Sequence, residues 1–152
     1  MINLKDITSE LISLKLSKYF IENEVDDEGD IAISDTYRVY IRIMPEDKML
    51  RFYSFISPEQ VSGVVEDKFD IFLNYINGAN YYVKFSKLKI MDNISPLLCE
   101  HVMSIEGEVS DEFIIKTIRA IQKEILKSIG VSVKFESVLA GYNHAMENHK
   151  SA

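Results

Sequence analysis

The sequence predicts an α+β fold, a sandwich of element order α-β-β-β-α-β-β-α with helices covering mainly one face of an antiparallel sheet. Residues 37–44 alternate between apolar and polar side chains, as a strand does when one of its faces is buried. Residues 61–76 instead repeat apolar side chains at helical spacing. Three short strand-like segments precede that helix and two follow it, and the connections within each group are short enough for antiparallel neighbours.

Length and composition predict a single domain over residues 1–152, with a core at about 6–130 and a helical C-terminal extension at 131–152. A chain of this size buries roughly 70% of the surface that it exposes when unfolded. Hydrophobic residues make up 47% of the chain and charged residues 27%, which are globular values and argue against disorder.

Several features of the sequence predict a cytoplasmic protein. No run of about 18 apolar residues occurs, so we expect no membrane-spanning helix. The N-terminal segment turns polar too early for a signal peptide. The single cysteine, Cys99, excludes an internal disulfide and fits a reducing compartment. The net charge of -7 argues against binding to nucleic acid or to an anionic membrane.

Apolar side chains at helical spacing predict a first helix over residues 6–22. Its apolar stripe consists of Ile7, Leu11, Leu14 and Ile21, and Leu16 and Phe20 widen it. An acidic segment follows at residues 22–30. Its charge density, together with Gly29, predicts an irregular loop.

Three strands are predicted next, at residues 31–33, 37–44 and 49–56, with hairpin connections at 34–36 and 45–48. The side chains expected on the core face of the second and third strands are Tyr37, Val39, Ile41, Ile43, Leu50, Phe52 and Ile56. The residues between them are expected on the opposite face of the sheet.

The central helix is predicted to run from Ser57 to residue 77. Ser57 is the expected N-cap, Pro58 occupies the first helical position, and Gln60 completes a capping box. Asn77 followed by Gly78 predicts a left-handed stop. An aromatic strand is expected directly afterwards, at residues 81–85.

The remaining elements are a turn at residues 92–96, a fifth strand at 97–105 and two helices. Ser110 is the expected N-cap of the first of these helices, and Gly130 is expected to end it. Residues 131–134 could be extended, and a last helix over 135–146 is predicted to be interrupted by Gly141.

The acidic segment partly matches the spacing of a calcium-binding EF-hand loop. The matching positions would be filled by Glu24, Asp26, Glu28, Gly29, Ile31 and Asp35. Neither end of the segment fits this pattern, because an EF-hand loop begins with a short Asp and ends with a bidentate Glu. The segment is therefore expected to be a solvated acidic loop rather than a metal site.

The histidines and the cysteine do not form a recognisable metal or catalytic motif. On a helix, His144 and His149 would point about 140° apart. Cys99 and His101 share one face of the predicted fifth strand, but zinc requires three or four ligands. A packed thiol and a surface histidine are the expected interpretation.

No glycine-rich phosphate loop, nucleophile elbow or catalytic triad motif occurs in the sequence. We therefore expect a protein that is not an enzyme and that uses neither a metal nor another cofactor.

The non-core face of the predicted sheet carries the candidate binding residues. Alternation places together Arg38, Tyr40, Arg42, Arg51, Tyr53, Tyr82 and Lys84. No acidic residue is expected among these strand positions. Tyr and Arg are enriched at the centres of protein interfaces, so a protein partner or a second copy of the chain is predicted. Nucleobase stacking and an ordinary half-solvated sheet face are the alternatives.

The element order over residues 6–130 resembles that of the YbjN-type family, a group of proposed bacterial sensory transduction regulators with the fold of type III secretion chaperones. The similarity also includes the helix at 61–77, the small polar stop at 77–80 and the strand at 81–85. The resemblance implies a non-enzymatic, chaperone-like or regulatory protein that often dimerises. It assigns no catalytic residue.

These observations together predict a cytoplasmic protein that holds a segment of a partner protein, with a homodimer as one form of that partnership. The alternative is an immunity or inhibitor protein that neutralises a toxin or an enzyme. A small acidic domain with an exposed acidic loop would suit that role.

Overall fold

The computed structural model describes residues 2–34, 37–88 and 97–151. Its strands are β1 (Ile2–Asn3), β2 (Asn23–Val25), β3 (Ile31–Ile33), β4 (Val39–Met44), β5 (Met49–Ile56), β6 (Lys84–Lys87), β7 (Leu97–Ser104) and β8 (Glu108–Val109). Its α-helices are α1 (Ser9–Lys18), α2 (Phe69–Ala79), α3 (Asp111–Val133) and α4 (Phe135–Ser151). Short 3-10 turns lie at Leu4–Asp6, Pro58–Val61 and Glu66–Lys68.

In the described part of the chain, six strands form one antiparallel sheet with the spatial order β2-β3-β4-β5-β7-β6. The small strands β1 and β8 pair separately. This arrangement confirms the α+β class and the antiparallel pairing.

The two faces of the sheet differ sharply in burial. On the inner face, Ile41 lies opposite Phe52, and both side chains are fully buried. Helices α1 and α2 contribute to the same core through Leu16 and Phe72. Burial of apolar area on this one face is the main stabilising term of such a sandwich. The alternation in residues 37–44 therefore correctly predicted which side of the sheet is buried.

The acidic segment is not irregular, contrary to our prediction. Residues 23–25 form the edge strand β2, and a tight turn connects it to β3. The Asp26 carboxylate accepts hydrogen bonds from the backbone N–H groups of Glu28 and Asp30, at 3.0 and 2.9 Å. Gly29 adopts a φ of 82°, which favours glycine. This local turn chemistry outweighs the repulsion between the acidic side chains, and the sheet has six strands rather than five.

The first helix is shorter at both ends than the predicted 6–22. Thr8 is its N-cap, and the Thr8 hydroxyl accepts a hydrogen bond from the N–H of Leu11 at 3.1 Å. The helix ends at Lys18, because Phe20 takes a left-handed backbone conformation with φ 60°. Ile21 is still buried, which explains why the apolar stripe in the sequence continues beyond the end of the helix.

The predicted helix from residue 57 is also interrupted. The bond from the Ser57 N–H to the Gln60 side chain is present at 2.9 Å, but it closes a 3-10 turn rather than opening a long helix. A Cβ atom on Gly63 would lie 2.6 Å from the backbone oxygen of Ser132. Only glycine fits this close approach to α3, and regular helix begins only at Phe69.

The end of α2 and the start of β6 differ from the prediction as well. Helix α2 continues through Gly78, whose φ is not positive, and ends at Ala79. Strand β6 begins at Lys84 rather than at residue 81. The Glu124 carboxylate explains the delay, since it accepts the backbone N–H groups of residues 81–83 at 2.7–3.1 Å. Those N–H groups donate to a side chain of α3 instead of to the backbone of another strand.

The C-terminal helices are longer than expected. The Ser110 hydroxyl caps α3 by accepting the N–H of Phe113 at 3.0 Å, as predicted. Helix α3 continues through Gly130, and α4 continues through Gly141. Residues 131–134 are therefore not extended. Glycine inside a helix costs only about 1 kcal/mol, which packing can offset. The predicted turns at residues 35–36 and 92–96 lie outside the described residues.

Candidate functional site

The face of the sheet opposite the core, called here the outer sheet face, carries most of the predicted binding residues. Tyr40 lies opposite Tyr53, and Arg42 lies opposite Arg51. Lys84 lies on the same face and pairs with Glu100 of β7. The sequence therefore placed these five predicted residues on one surface correctly.

The two other predicted residues lie outside the strands. Arg38 precedes β4 and has an exposed side chain, 4.0 Å from Glu24. Tyr82 lies before β6, in the segment that Glu124 holds. The backbone oxygen of Tyr82 is 2.7 Å from Nδ1 of His101, and the two rings are 5.7 Å apart. His101 points to the inner side of the sheet, where it lies opposite Phe52.

Three aromatic rings form the centre of the outer sheet face, and we call Tyr40, Tyr53 and Phe55 the aromatic cluster. Tyr40 and Tyr53 are stacked, with their centroids 5.0 Å apart and their planes at 12°. Phe55 contacts both rings edge-on, at 6.3 and 5.8 Å. Such pairs stabilise one another beyond simple burial. Tyr53 is only 7% exposed, whereas Phe55 is 47% exposed.

A buried carboxylate on the same face anchors the cluster through the Tyr53 hydroxyl. Asp30 is 2% exposed, and its side chain accepts the Tyr53 hydroxyl. Arg42 donates to both Asp30 oxygens, at 2.9 Å from Nε and 2.8 Å from Nη2. The same guanidinium donates to Glu28 at 2.9 Å. Two strands and the β2–β3 turn are thereby joined through one carboxylate.

The electrostatics of this group favour the ionised carboxylate. Burial alone would raise the pKa of Asp30. Hydrogen bonds from Arg42 and Tyr53, together with the charges of Arg42 and Arg51, more than offset burial and lower that pKa below its ordinary value of 3.8. Burial and the bond to Asp30 raise the pKa of Tyr53 well above its ordinary value. Tyr53 therefore remains a neutral donor at physiological pH.

The second arginine of the face is also paired. Arg51 donates to Glu100 across the β5–β7 ladder, and its guanidinium lies 4.7 Å from the centroid of the Tyr53 ring. None of the predicted strand positions is acidic, but acidic side chains from other positions do reach this face. Glu100 could have been recognised from its alternating position in residues 97–105, whereas Asp30 and Glu28 reach the face only through the turn.

The outer sheet face is therefore less basic than the sequence suggested. Arg42 and Arg51 are bound to carboxylates of the chain itself, and Arg38 has Glu24 within 4.0 Å. What remains accessible includes aromatic and apolar surface. Phe55, near the end of β5, is the most exposed ring of the cluster and lies opposite Leu98, and Val102 is exposed on the same face opposite Arg51.

The residues of the EF-hand-like frame serve other roles. The Asp26 side chain binds the backbone of its own turn, and Glu28 binds Arg42. Asp35 lies outside the described residues. Within residues 2–34, 37–88 and 97–151, no group of three or more His, Cys, Asp and Glu side chains could hold a metal ion.

Cys99 and the remaining histidines are not arranged for nucleophilic chemistry. Cys99 is fully buried, and burial raises the pKa of its thiol well above the ordinary value. The thiol therefore stays protonated at neutral pH. On α4, Nε2 of His144 lies 3.2 Å from the Asn148 amide, and His149 is exposed.

A second surface feature is an apolar cleft of about 470 Å³ between α2 and α4. Ile71 and Tyr75 form one wall, and Phe135 and Leu139 form the other. The ring of Phe135 also packs against Phe72 in the core, with centroids 5.4 Å apart. The start of the C-terminal segment is thus part of the same core. Among the described residues, no helix combines the length and apolar character needed to cross a membrane.

Comparison with known proteins identifies the architecture. No protein-family model and no curated protein sequence matches this chain. The crystal structure of YbjN, a proposed transcription regulator from E. coli, superimposes with a TM-score of 0.63, covering 86% of this chain and 92% of that chain. The chain has a YbjN-type fold. The sequence identity to YbjN is 14%, so the likeness concerns the fold alone.

A second solved structure supports the YbjN-type fold. It is an uncharacterized protein from Methanothermobacter thermautotrophicus, with a TM-score of 0.61 and 15% identity. The superposition covers 84% of this chain and 98% of that chain. The resemblance that the element order predicted is therefore confirmed at the level of the fold.

Proposed function

We propose that this chain is a non-enzymatic, chaperone-like or regulatory protein that binds a segment of a partner protein on its outer sheet face. The aromatic cluster carries the proposal. Phe55 is nearly half exposed near the end of β5, and its ring packs edge-on against Tyr40 and Tyr53, which hold it in place. A rigid aromatic group loses little conformational entropy on binding, which makes it an effective anchor.

The pairing of the arginines sets the chemistry of the partner. An acidic segment would have to compete with Asp30 and Glu100, which already bind Arg42 and Arg51. An apolar or aromatic segment meets no such competition. We therefore favour a partner that contributes apolar side chains to Phe55 and hydrogen-bonding groups to the paired charges at the rim.

The same features argue against nucleic acid as the main partner. The net charge is -7, and Asp30 and Glu100 lie on the face that carries the aromatic rings. Phosphate groups would be repelled by these carboxylates, since most nucleic-acid affinity comes from unpaired basic side chains. A regulatory role would then act through contacts between proteins.

The test compares two phenylalanines of nearly equal exposure. Phe55 is 47% exposed on the outer sheet face, and Phe113 is 49% exposed on α3. The partner is first recovered with the tagged wild-type protein from its source cells, identified by mass spectrometry and produced separately. Phe55→Ala should weaken its binding by about 1–2 kcal/mol, the effect of losing an interface anchor.

Phe113→Ala is the matched control and should bind as tightly as the wild-type protein. Equal affinity for both variants, with unchanged thermal melts, would remove the outer sheet face as the binding surface. Light scattering of the free protein shows whether the recovered partner is a second copy of the chain.

A further inference from the structure

The connection between α1 and β2 presents an aromatic side chain in an unusual way. Phe20 is 98% exposed, and its backbone φ is 60°. A bulky residue with φ in this range is uncommon, because the Cβ atom approaches the following carbonyl group. The residue therefore combines an unfavourable backbone conformation with an unfavourably hydrated side chain.

The backbone at this point forms a Schellman motif that ends α1. The N–H of Ile21 donates to the oxygen of Leu16 at 3.0 Å, and the N–H of Phe20 donates to the oxygen of Ser17 at 3.1 Å. Glycine is the usual residue at the left-handed position of this motif, since it lacks the Cβ atom. The helix would thus end at least as well with glycine in place of Phe20.

The Phe20 side chain is not needed for folding. The apolar contact that accompanies a Schellman motif is supplied by Leu16 and Ile21, which are both buried. Phe20 makes no ring contact with another described aromatic residue and no cation–π contact. Backbone strain that brings no gain to the folded state is typical of positions kept for binding.

We propose that Phe20 is an anchor that inserts into an apolar pocket of a partner protein, and that basic side chains border this pocket. The charge around Phe20 supports a basic rim. Glu22 and Glu24 are exposed just after Phe20, and Lys18 is exposed just before it. Arg38 lies 4.0 Å from Glu24, so Glu22 is the main acidic group beside Phe20, and the whole chain carries a net charge of -7. An acidic surface of this kind attracts and orients a basic partner.

A second copy of the chain or an anionic membrane fits the surface around Phe20 less well. A second copy that packed symmetrically through Phe20 would bring Glu22 and Glu24 of both copies together, which is destabilising. An anionic membrane would be repelled by the net charge in the same way. The proposal does not rest on the outer sheet face, because α1 packs into the core on the opposite side of the sheet.

The first experiment places a photoreactive p-benzoylphenylalanine at position 20 in the cells that contain the protein. The same group at Tyr81, which is 95% exposed, provides the matched control. We expect one other protein to be crosslinked from position 20 and not from position 81. An adduct of twice the mass of the chain, a lipid adduct or no specific adduct would overturn the proposal.

The second experiment measures the affinity of that protein, produced separately, for a set of variants. Phe20→Gly should weaken binding about tenfold or more, as expected for an interface anchor, while Phe20→Leu should lose much less. Glu22→Lys should also weaken binding, and raised salt should reduce the difference between Glu22→Lys and the wild-type protein.

Thermal melts separate binding from folding. Phe20→Gly should raise Tm by about 2–4 °C, because glycine relieves the left-handed strain. Lys48 is the other non-glycine residue with positive φ among those described, at 52°, and Lys48→Gly should also raise Tm but leave binding unchanged. Unchanged binding by Phe20→Gly, or a lower Tm for this variant, would overturn the proposal.

Discussion

Asp30 and Arg42 form a two-point contact beside the aromatic cluster, in which one buried carboxylate accepts hydrogen bonds from Nε and Nη2 of the guanidinium at 2.9 and 2.8 Å. The contact joins the end of the β2–β3 turn to β4. Because Asp30 also accepts the Tyr53 hydroxyl, it fixes the position of the Tyr53 ring within the cluster.

Replacing Asp30 with Asn should destabilise the fold by about 2–4 kcal/mol. The amide keeps the size of the carboxylate, but it removes the charge and leaves Arg42 without its principal partner. Urea denaturation gives the free energy of unfolding. Asp27→Asn is the control, since Asp27 is exposed in the same turn, and it should change that free energy by less than about 0.5 kcal/mol.

The pH dependence of the free energy of unfolding should reveal the ionisation of Asp30. The pKa of Asp30 in the folded protein lies below its ordinary value of 3.8. The stabilisation by ionised Asp30 is therefore fully present above about pH 5 and is lost as the pH falls through the lowered pKa. The difference in unfolding free energy between wild type and Asp30→Asn should be constant from about pH 7 to pH 5 and shrink below about pH 4. A difference that stays constant down to about pH 2 would contradict this assignment.

The parts of the fold that the sequence predicted correctly are those governed by local pattern. Alternation over residues 37–44 identified both faces of β4, and Ser110 caps α3 as expected. At Gly63 the chain instead packs closely against the backbone oxygen of Ser132, which is distant in sequence. No pattern within residues 57–77 contains that contact, and the capping signal at Ser57 closes a 3-10 turn rather than the predicted helix.

The residues of the outer sheet face were predicted correctly in position, but the charge of that face was not. Strand alternation placed Arg42 and Arg51 on one surface. Their partners come from a turn and from a strand beyond the predicted residue set, namely Asp30 and Glu100. A count of charges along single strands therefore overestimates how basic a sheet face is, because neighbouring elements supply the acids.

Substitution of Glu124 tests how the segment before the edge strand β6 is held in place. Its carboxylate accepts three successive backbone N–H groups from residues 81–83. Glu124→Gln should lower the free energy of unfolding by about 1.5–3 kcal/mol, because an amide NH₂ then faces an N–H donor. Glu112→Gln, in the exposed first turn of the same helix, should cost less than about 1 kcal/mol, since it loses only a surface interaction with the helix dipole. Equal stability of both variants would show that these contacts are not important for folding.

Two glycine substitutions should act in opposite directions. Gly63→Ala places a methyl group 2.6 Å from the Ser132 oxygen and should destabilise the protein by about 1–3 kcal/mol. Gly141 lies inside α4, and a Cβ atom there would meet no neighbouring segment within 4 Å. Gly141→Ala should therefore stabilise the protein by about 0.5–1 kcal/mol. Thermal or urea denaturation of both variants checks the pair, and a stable Gly63→Ala would contradict the close approach of α3.

Substitutions of Tyr53 distinguish effects on the stability of the outer sheet face from effects on partner binding. Tyr53 is one of the candidate binding residues that the sequence predicts, but its side chain is almost fully buried between Tyr40, Arg51 and Asp30. Tyr53→Ala should therefore destabilise the protein by about 3 kcal/mol or more, and any loss of binding would follow from disorder of the face.

Tyr53→Phe is the informative change at this position. It keeps the ring stacked on Tyr40 but removes the hydroxyl that donates to Asp30, so the free energy of unfolding should fall by about 1–2 kcal/mol. Because Phe55 and the surface around it are unchanged, partner affinity should stay within about twofold of the wild-type value. Calorimetry on the isolated partner measures that affinity, and urea denaturation measures stability. A large loss of affinity in a well-folded Tyr53→Phe would show that the hydroxyl itself, rather than the exposed ring of Phe55, contacts the partner.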